Sequence, residues 1–185
     1  MKKLSEKEQK LFDWDNELRF NSANYSDIQV IDIAQKAIDF ACENFKEQEK
    51  VYEGYEFEYE GKVTNVALGI DSHLQKNAAH KKSLLIKQFV LDIINTEKYG
   101  RGRNGFVYLL YRLKIDNKLK EIATERKDFW ETPRIRFQLL YALYKRRIKG
   151  FSKEAELLIQ NNPKERELKK YAAKYIEQEE KQGSK

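Results

Sequence analysis

Apolar residues recur every three or four positions along most of the chain, the period of a helix that turns one face to a core. Leu4, Leu11, Trp14 and Leu18 share such a face. Ahead of most of them, Ser5-Glu6-Lys7-Glu8 fits a capping box, in which the Ser hydroxyl and the Glu carboxylate satisfy free amides of the first turn. This predicts a helix ending near Phe20, followed by a polar break over Asn21–Asn24. Ser26-Asp27-Ile28-Gln29 is a second capping box, and Ile31, Ala34, Ile38, Ala41 and Phe45 draw the stripe of a helix running from 27 to about 49. Val63, Val66, Ala67, Ile70 and Leu74 resume helical spacing, with Gly69 as a weak point. Ile86, Phe89, Val90 and Ile93 predict a helix over roughly 78–98. Phe106 to Leu113, Leu119 to Ala123, 134–148, Ser152 to Ile159 and a last helix from Pro163 complete the helical pattern.

One stretch departs from this period. Tyr55, Phe57 and Tyr59 alternate with Glu56, Glu58 and Glu60, and Gly61-Lys62 follows as a turn signal. Alternation places side chains two apart on one face, as in a strand, and suggests a small β-hairpin or extended segment near 52–66, with a helix misread as a strand as the alternative. Across the whole chain, two prolines and eight glycines in 185 residues are too few for the turns of a sandwich or barrel. The fold class expected is therefore all-α: antiparallel helix pairs in one domain spanning 1–185. Within it, 1–99 holds N-terminal helices and the acidic aromatic segment, 100–178 holds helical repeats, and 179–185 is a polar tail that frays.

The repeat reading rests on Leu109-Leu110-Tyr111-Arg112-Leu113 and Leu139-Leu140-Tyr141-Ala142-Leu143, 30 residues apart, and on Lys120-Glu121 and Lys153-Glu154, 33 apart. Each unit is a longer helix, a turn and a shorter helix, as in stacked pairs that bury a shared core. This resembles a short HEAT-like α-solenoid.

Charge divides the chain. The net +6 combines 14 Lys/Arg against 18 Asp/Glu in residues 1–99 with 22 against 12 in residues 100–185. A basic half points to an anionic partner, either nucleic acid or an acidic protein surface, unless its lysines merely solvate helix faces. Arg101 and Arg103 precede the start of a helix, where free amides favour an anion. Arg136 and Arg147 fall on the side of their helix that holds Phe137, Leu143 and Tyr144. With Arg134, these residues predict a basic groove; the alternative is Arg–Asp/Glu pairing between repeats. The segment Tyr52, Glu53, Tyr55, Glu56, Phe57, Glu58, Tyr59 and Glu60 has the chemistry of a protein interface, with large aromatic area beside carboxylates.

Conventional catalytic patterns are missing from the sequence. The single Cys42 excludes an intramolecular disulfide and a cysteine-based zinc site. His73 and His80 are seven apart rather than the i,i+4 of a helical metal pair, so no metal and no cofactor is assigned. No apolar run reaches a membrane span and the start lacks a secretory signal, so the expected location is cytoplasmic, with no membrane partner.

Two family resemblances bear on function. Trp130-Glu-Thr-Pro-Arg134-Ile-Arg136-Phe-Gln-Leu139 is similar to the Trp-x-x-x-Arg turn and helix of HEAT-like alkylpurine DNA glycosylases. The match covers about fifteen residues and lacks that family's Trp-x-x-x-Asp catalytic pairing, so it implies a basic nucleic-acid-binding face rather than catalysis. In overall character, a small Lys/Asn/Tyr-rich helical chain without catalytic residues resembles bacterial toxin-immunity proteins. That resemblance implies a non-enzymatic protein that neutralises a cognate toxin by direct binding.

Overall fold

The computed structural model describes residues 4–45, 58–76 and 78–183, and the regular structure among them is entirely helical. Ten α-helices lie among the described residues: α1 Glu6–Asn16, α2 Asp27–Asn44, α3 Glu58–Lys76, α4 Leu84–Asn95, α5 Asn104–Leu113, α6 Asp116–Glu125, α7 Lys127–Glu131, α8 Ile135–Arg146, α9 Ser152–Asn161 and α10 Arg166–Gly183. None of them is long and apolar enough to cross a membrane.

Both capping boxes form. Ser5 accepts from the Glu8 amide at 3.3 Å while its own amide donates to the Glu8 carboxylate at 2.9 Å. The Ser26 amide donates to Gln29 Oε1, also at 2.9 Å, and Ser26 fixes the first turn of α2. From there Val30, Ala34, Ala37, Ile38 and Ala41 are buried against α3. The chain after α1 passes through a π-helical turn, Glu17–Asn21, which buries Leu18 completely.

From Glu58 onward the segment near 52–66 is helix rather than hairpin or extended chain, because that residue opens α3. Tyr59 is the first member of a helical stripe, Tyr59, Val63, Val66, Ile70 and Leu74, all buried. Its alternation with Glu58 and Glu60 is local, whereas the stripe continues for four turns and decides the conformation. Gly61 is carried inside the helix rather than ending it. Tyr52, Glu53, Tyr55, Glu56 and Phe57 lie outside the described residues.

The single helix expected over 78–98 is three pieces. A 3-10 turn, Ala78–Lys82, gives way to α4, which Ser83 caps by accepting from the Ile86 amide at 3.3 Å. After α4 the chain tightens into a second 3-10 segment, Glu97–Arg103, with Gly100 at φ 45°. This glycine-rich stretch packs tightly against α3: a Cβ on Gly102 would sit 2.8 Å from Val63 Cβ, and one on Gly105 would sit 2.7 Å from Ala67 Cβ. The glycines permit α3 to lie directly on the segment and on α5.

Helices α3, α5, α8 and α10 form a row in which each packs on the next. Helices α4 and α6 pack against α5, and α9 packs against α10. Phe106, Val107, Leu109 and Leu110 of α5 are fully buried, as are Leu139, Leu140, Ala142 and Leu143 of α8, at a constant offset of 33. The helix ends agree with this register. Lys114 and Arg147 both adopt left-handed conformations, φ 56° and 55°, and the amides of Ile115 and Ile148 donate back to Leu110 and Leu143. The Leu-Leu-Tyr match at offset 30 is therefore one turn out of register, and the burial pattern corrects it to 33.

The tail also differs from expectation, since α10 continues to Gly183. Glu179 on this helix does the work of an N-cap for α9. Its carboxylate accepts from the amide of Phe151 at 3.2 Å and the hydroxyl of Ser152 at 2.7 Å, and also from the Gly150 amide. Ser152 is thus the first residue of α9 rather than its cap.

Candidate functional site

The offset of 33 determines which side chains the row of helices presents outward. Flanked by buried neighbours, Tyr108 and Tyr111 of α5 match Tyr141 and Tyr144 of α8, and all four are half-buried. Tyr171 of α10 and Phe137 of α8 join them. Ring centroids lie 6.3 Å apart for Tyr108 and Tyr141, 6.0 Å for Tyr111 and Tyr141, and 5.2 Å for Tyr141 and Tyr171. Tyr171 also meets Phe137 at 5.6 Å and Tyr144 at 5.9 Å, mostly edge to face, the preferred arrangement for ring quadrupoles. Six rings from three helices thus form one continuous aromatic face.

Cations border that face. Lys145 Nζ stands 5.4 Å from the Tyr141 ring, and Lys174 Nζ stands 5.4 Å from the Tyr171 ring. Arg112 Nε donates to Asp71 at 2.6 Å, tying α5 to α3 beside Tyr108. Burial, then the Asp71 charge, raises the Tyr108 pKa above its ordinary value, so this hydroxyl keeps its proton.

The aromatic face leads into a cleft of about 1130 Å³ between α3, the start of α8 and the turn before α10. Thr64, Leu68, Asn104, Phe137 and Gln138 line both this cleft and a smaller recess of about 240 Å³ whose further wall is Tyr108 and Tyr141. Arg134 stands at the cleft with Lys164, Arg166, Glu165 and Glu167. Its backbone is strained: φ is 65° and ψ −43°, and the Ile135 amide donates to the Pro133 carbonyl at 2.8 Å. This is the rare positive-φ γ-turn, which costs a non-glycine residue roughly 1–3 kcal/mol.

Of the arginines expected to line a basic groove, only Arg134 borders this cleft. Arg101 Nε donates to the fully buried Glu60 at 2.8 Å, which also places Glu60, expected at an interface, inside the fold. Tyr59 is buried as well, donating its hydroxyl to the Lys98 carbonyl at 3.0 Å. Arg103 is buried, donating to the carbonyls of Gly100 at 2.8 Å and Ile94 at 3.3 Å, with its guanidinium 4.9 Å from the Phe129 ring. Burial, then the neighbouring Arg126 charge, lowers its pKa. At the start of α5, where an anion was expected, Ala67 and Thr64 of α3 lie against Gly105 in the first turn.

Arg136 pairs with Glu165 and donates to the Glu131 carbonyl at 3.2 Å. Arg147 is exposed at the other end of α8, eleven residues or roughly 16 Å away. Pairing between elements is the commoner use of arginine here: Arg146 grips Asp116 of α6 through two bonds of 2.6 and 2.7 Å. In the Trp130–Leu139 segment, Trp130 donates to the Ala123 carbonyl at 2.9 Å and packs 5.9 Å from Phe151.

A second cluster was invisible to spacing rules. Asp27 in the first turn of α2, His73 in the last turn of α3 and His80 in the following 3-10 turn bring their ligand atoms within 4.8 Å of one another. A seven-residue gap excludes adjacency on one helix, but the chain reverses after α3 and the two rings meet at 3.8 Å. Burial raises the Asp27 pKa, yet hydrogen bonds from Ser83 and His73 and the charge on His80 outweigh it and hold the carboxyl below its ordinary value.

Compared with protein-family models, with curated proteins and with solved structures, this chain matches none of them.

Proposed function

We propose that this chain is a non-enzymatic binding protein that captures a partner protein on the aromatic face of α5, α8 and α10, and that the partner is a cognate toxin it neutralises. The observation that carries the reading is the six-ring face, with cations at its edge and a cleft at its end. Tyrosine is enriched at the energetic centres of protein interfaces, because its ring buries large area with few torsions to freeze. The surrounding lysines favour a partner with acidic groups around an apolar centre. The HEAT-like reading adds weight, since stacked helix pairs use one helix of each pair as a shared binding surface.

The test is a binding titration against the product of the neighbouring gene, with Tyr141→Ala and Tyr171→Ala alongside the parent. Each substitution should weaken the complex by about thirtyfold or more, as truncation of a central anchor does. Absence of a complex, or two variants that fold and bind as well as the parent, would remove the basis for the proposal.

A second reading follows from Lys145 and Lys174 standing over tyrosine rings. Bases of single-stranded nucleic acid stack on such rings while lysines follow the phosphates. It predicts micromolar or tighter binding of a single-stranded oligonucleotide, falling steeply between 50 and 200 mM salt. Salt-insensitive or absent binding leaves the protein partner.

A further inference from the structure

The cluster of Asp27, His73 and His80 poses a problem of proton accounting. His73 is fully buried, and its Nδ1 lies 2.8 Å from the carbonyl oxygen of Ser22. A carbonyl can only accept, so Nδ1 carries the proton. In a neutral ring Nε2 then presents a lone pair, and 2.9 Å away it meets Oδ1 of Asp27, another acceptor. His80 Nδ1 approaches the same oxygen at 2.8 Å from the other side. His80 Nδ1 can carry its proton and donate to that oxygen, but His73 Nε2 and Oδ1 still face each other as two acceptors.

A positive centre between them removes the conflict, and a metal ion is one that all three side chains can share. The donor set favours the ion: two imidazoles and one carboxylate are the ligands of three-coordinate protein zinc sites that leave a fourth position open. Donors on a tetrahedral shell of about 2.0–2.1 Å radius stand roughly 3.3–3.4 Å apart. The 2.9 and 2.8 Å separations at Oδ1 therefore need to open by only about 0.5 Å to admit an ion, and all three ligand atoms already lie within 4.8 Å of one another. The bond from His73 Nδ1–H to a backbone carbonyl is the outer contact that ordinarily fixes the tautomer and ring plane of a metal-bound histidine. The nearby cation Lys76 is held elsewhere, donating to the carbonyls of Arg19 at 3.1 Å and Phe20 at 3.2 Å. His80 and Asp27 are each about a fifth exposed, which gives an ion a way in.

We infer that Asp27, His73 and His80 form a binding site for one divalent transition-metal ion, zinc by the chemistry of its donors. Bound there, the ion would pin the start of α2, the end of α3 and the 3-10 turn after it. This proposal is independent of the partner-binding reading, because the aromatic face lies on other helices.

The test uses the full chain, stripped with chelator and titrated with zinc chloride, read by calorimetry and by thermal melting. The expected result is one ion per chain, with the melting temperature raised by about 5–10 °C at a hundredfold excess over Kd. Replacing the exposed ligands, His80→Ala or Asp27→Asn, should weaken uptake by tenfold or more while leaving the apo chain folded; His73→Gln is less informative because its site is buried. Zinc uptake equal in parent and His80→Ala would show adsorption elsewhere and overturn the proposal. So would no uptake at all.

Discussion

Gly105→Ala tests the contact on which the fold turns. An added Cβ would lie 2.7 Å from Ala67 Cβ and 3.1 Å from the Thr64 carbonyl oxygen, all across the α3–α5 contact. Carbon atoms pack at about 3.5–4.0 Å, so the two helices must separate by roughly 1 Å. Overpacking of that size costs about 1–3 kcal/mol. Against it stands the preference of a helix for Ala over Gly, at most about 1 kcal/mol and less in a first turn. The balance is a loss of about 0.5–2 kcal/mol, or roughly 2–6 °C in melting temperature for a chain of this size. Ala67→Gly alone should cost about 2 kcal/mol through helix propensity and a lost buried methyl. Combined, the two substitutions exchange the small residue for the large one across the contact. The pair should be less destabilised than the sum of the singles by about 1 kcal/mol, with the Thr64 oxygen limiting the rescue. Urea titrations and thermal melts of the four proteins read this directly. A Gly105→Ala protein as stable as the parent, or more so, would mean that propensity decides and that α3 does not lie on α5 as closely as described.

Two other perturbations follow from buried and bridging charges. Burial opposes ionisation of Glu179, but Tyr175, Ser152 and the amides of Gly150 and Phe151 outweigh it, so its folded pKa is depressed. A depressed carboxylate stabilises the fold above its unfolded pKa of about 4.3 and loses that contribution as pH falls through the folded value. Glu179→Gln should therefore cost about 1 kcal/mol at pH 7 and little below pH 3, measured by urea denaturation at the two pH values. Arg101→Met withdraws a guanidinium held 2.8 Å from the buried Glu60 carboxylate and should cost about 3–5 kcal/mol. The double variant with Glu60→Gln should recover part of that loss, and denaturation midpoints that rank the double below the single would contradict the ion-pair account.

The helices with local signals were the ones readable in advance. Ser5 and Ser26 announce their helices through side chains three residues away, and both boxes form. Tyr59 shows the limit of local reading, because its alternation with two glutamates covers a few residues while its helical stripe is completed by Ile70 and Leu74. The glycines at 102 and 105 permit contact with Val63 and Ala67, which are distant in sequence. Leu-Leu-Tyr identities favoured an offset of 30 between α5 and α8, and burial with the left-handed ends at Lys114 and Arg147 was needed to match the two helices at 33. Once that register is known the tyrosines can be found in the sequence, since Tyr108 and Tyr111 recur as Tyr141 and Tyr144. Arg101, Arg103 and Arg136 could not be assigned in advance, because their partners Glu60, Ile94 and Glu165 come from other elements. Asp27 and the two histidines are brought together only by the reversal after α3.

The aromatic face has an entropic consequence. Each ring in it is already held by its neighbours, with Tyr141 touching four others at 5.2 to 6.3 Å. Immobilising a free side chain on association costs about 0.5–1.5 kcal/mol, and here folding has met much of that cost for six side chains at once. The backbone beneath is helical throughout, so few torsions remain to be fixed. A molecule that settles on this face finds it ordered in advance.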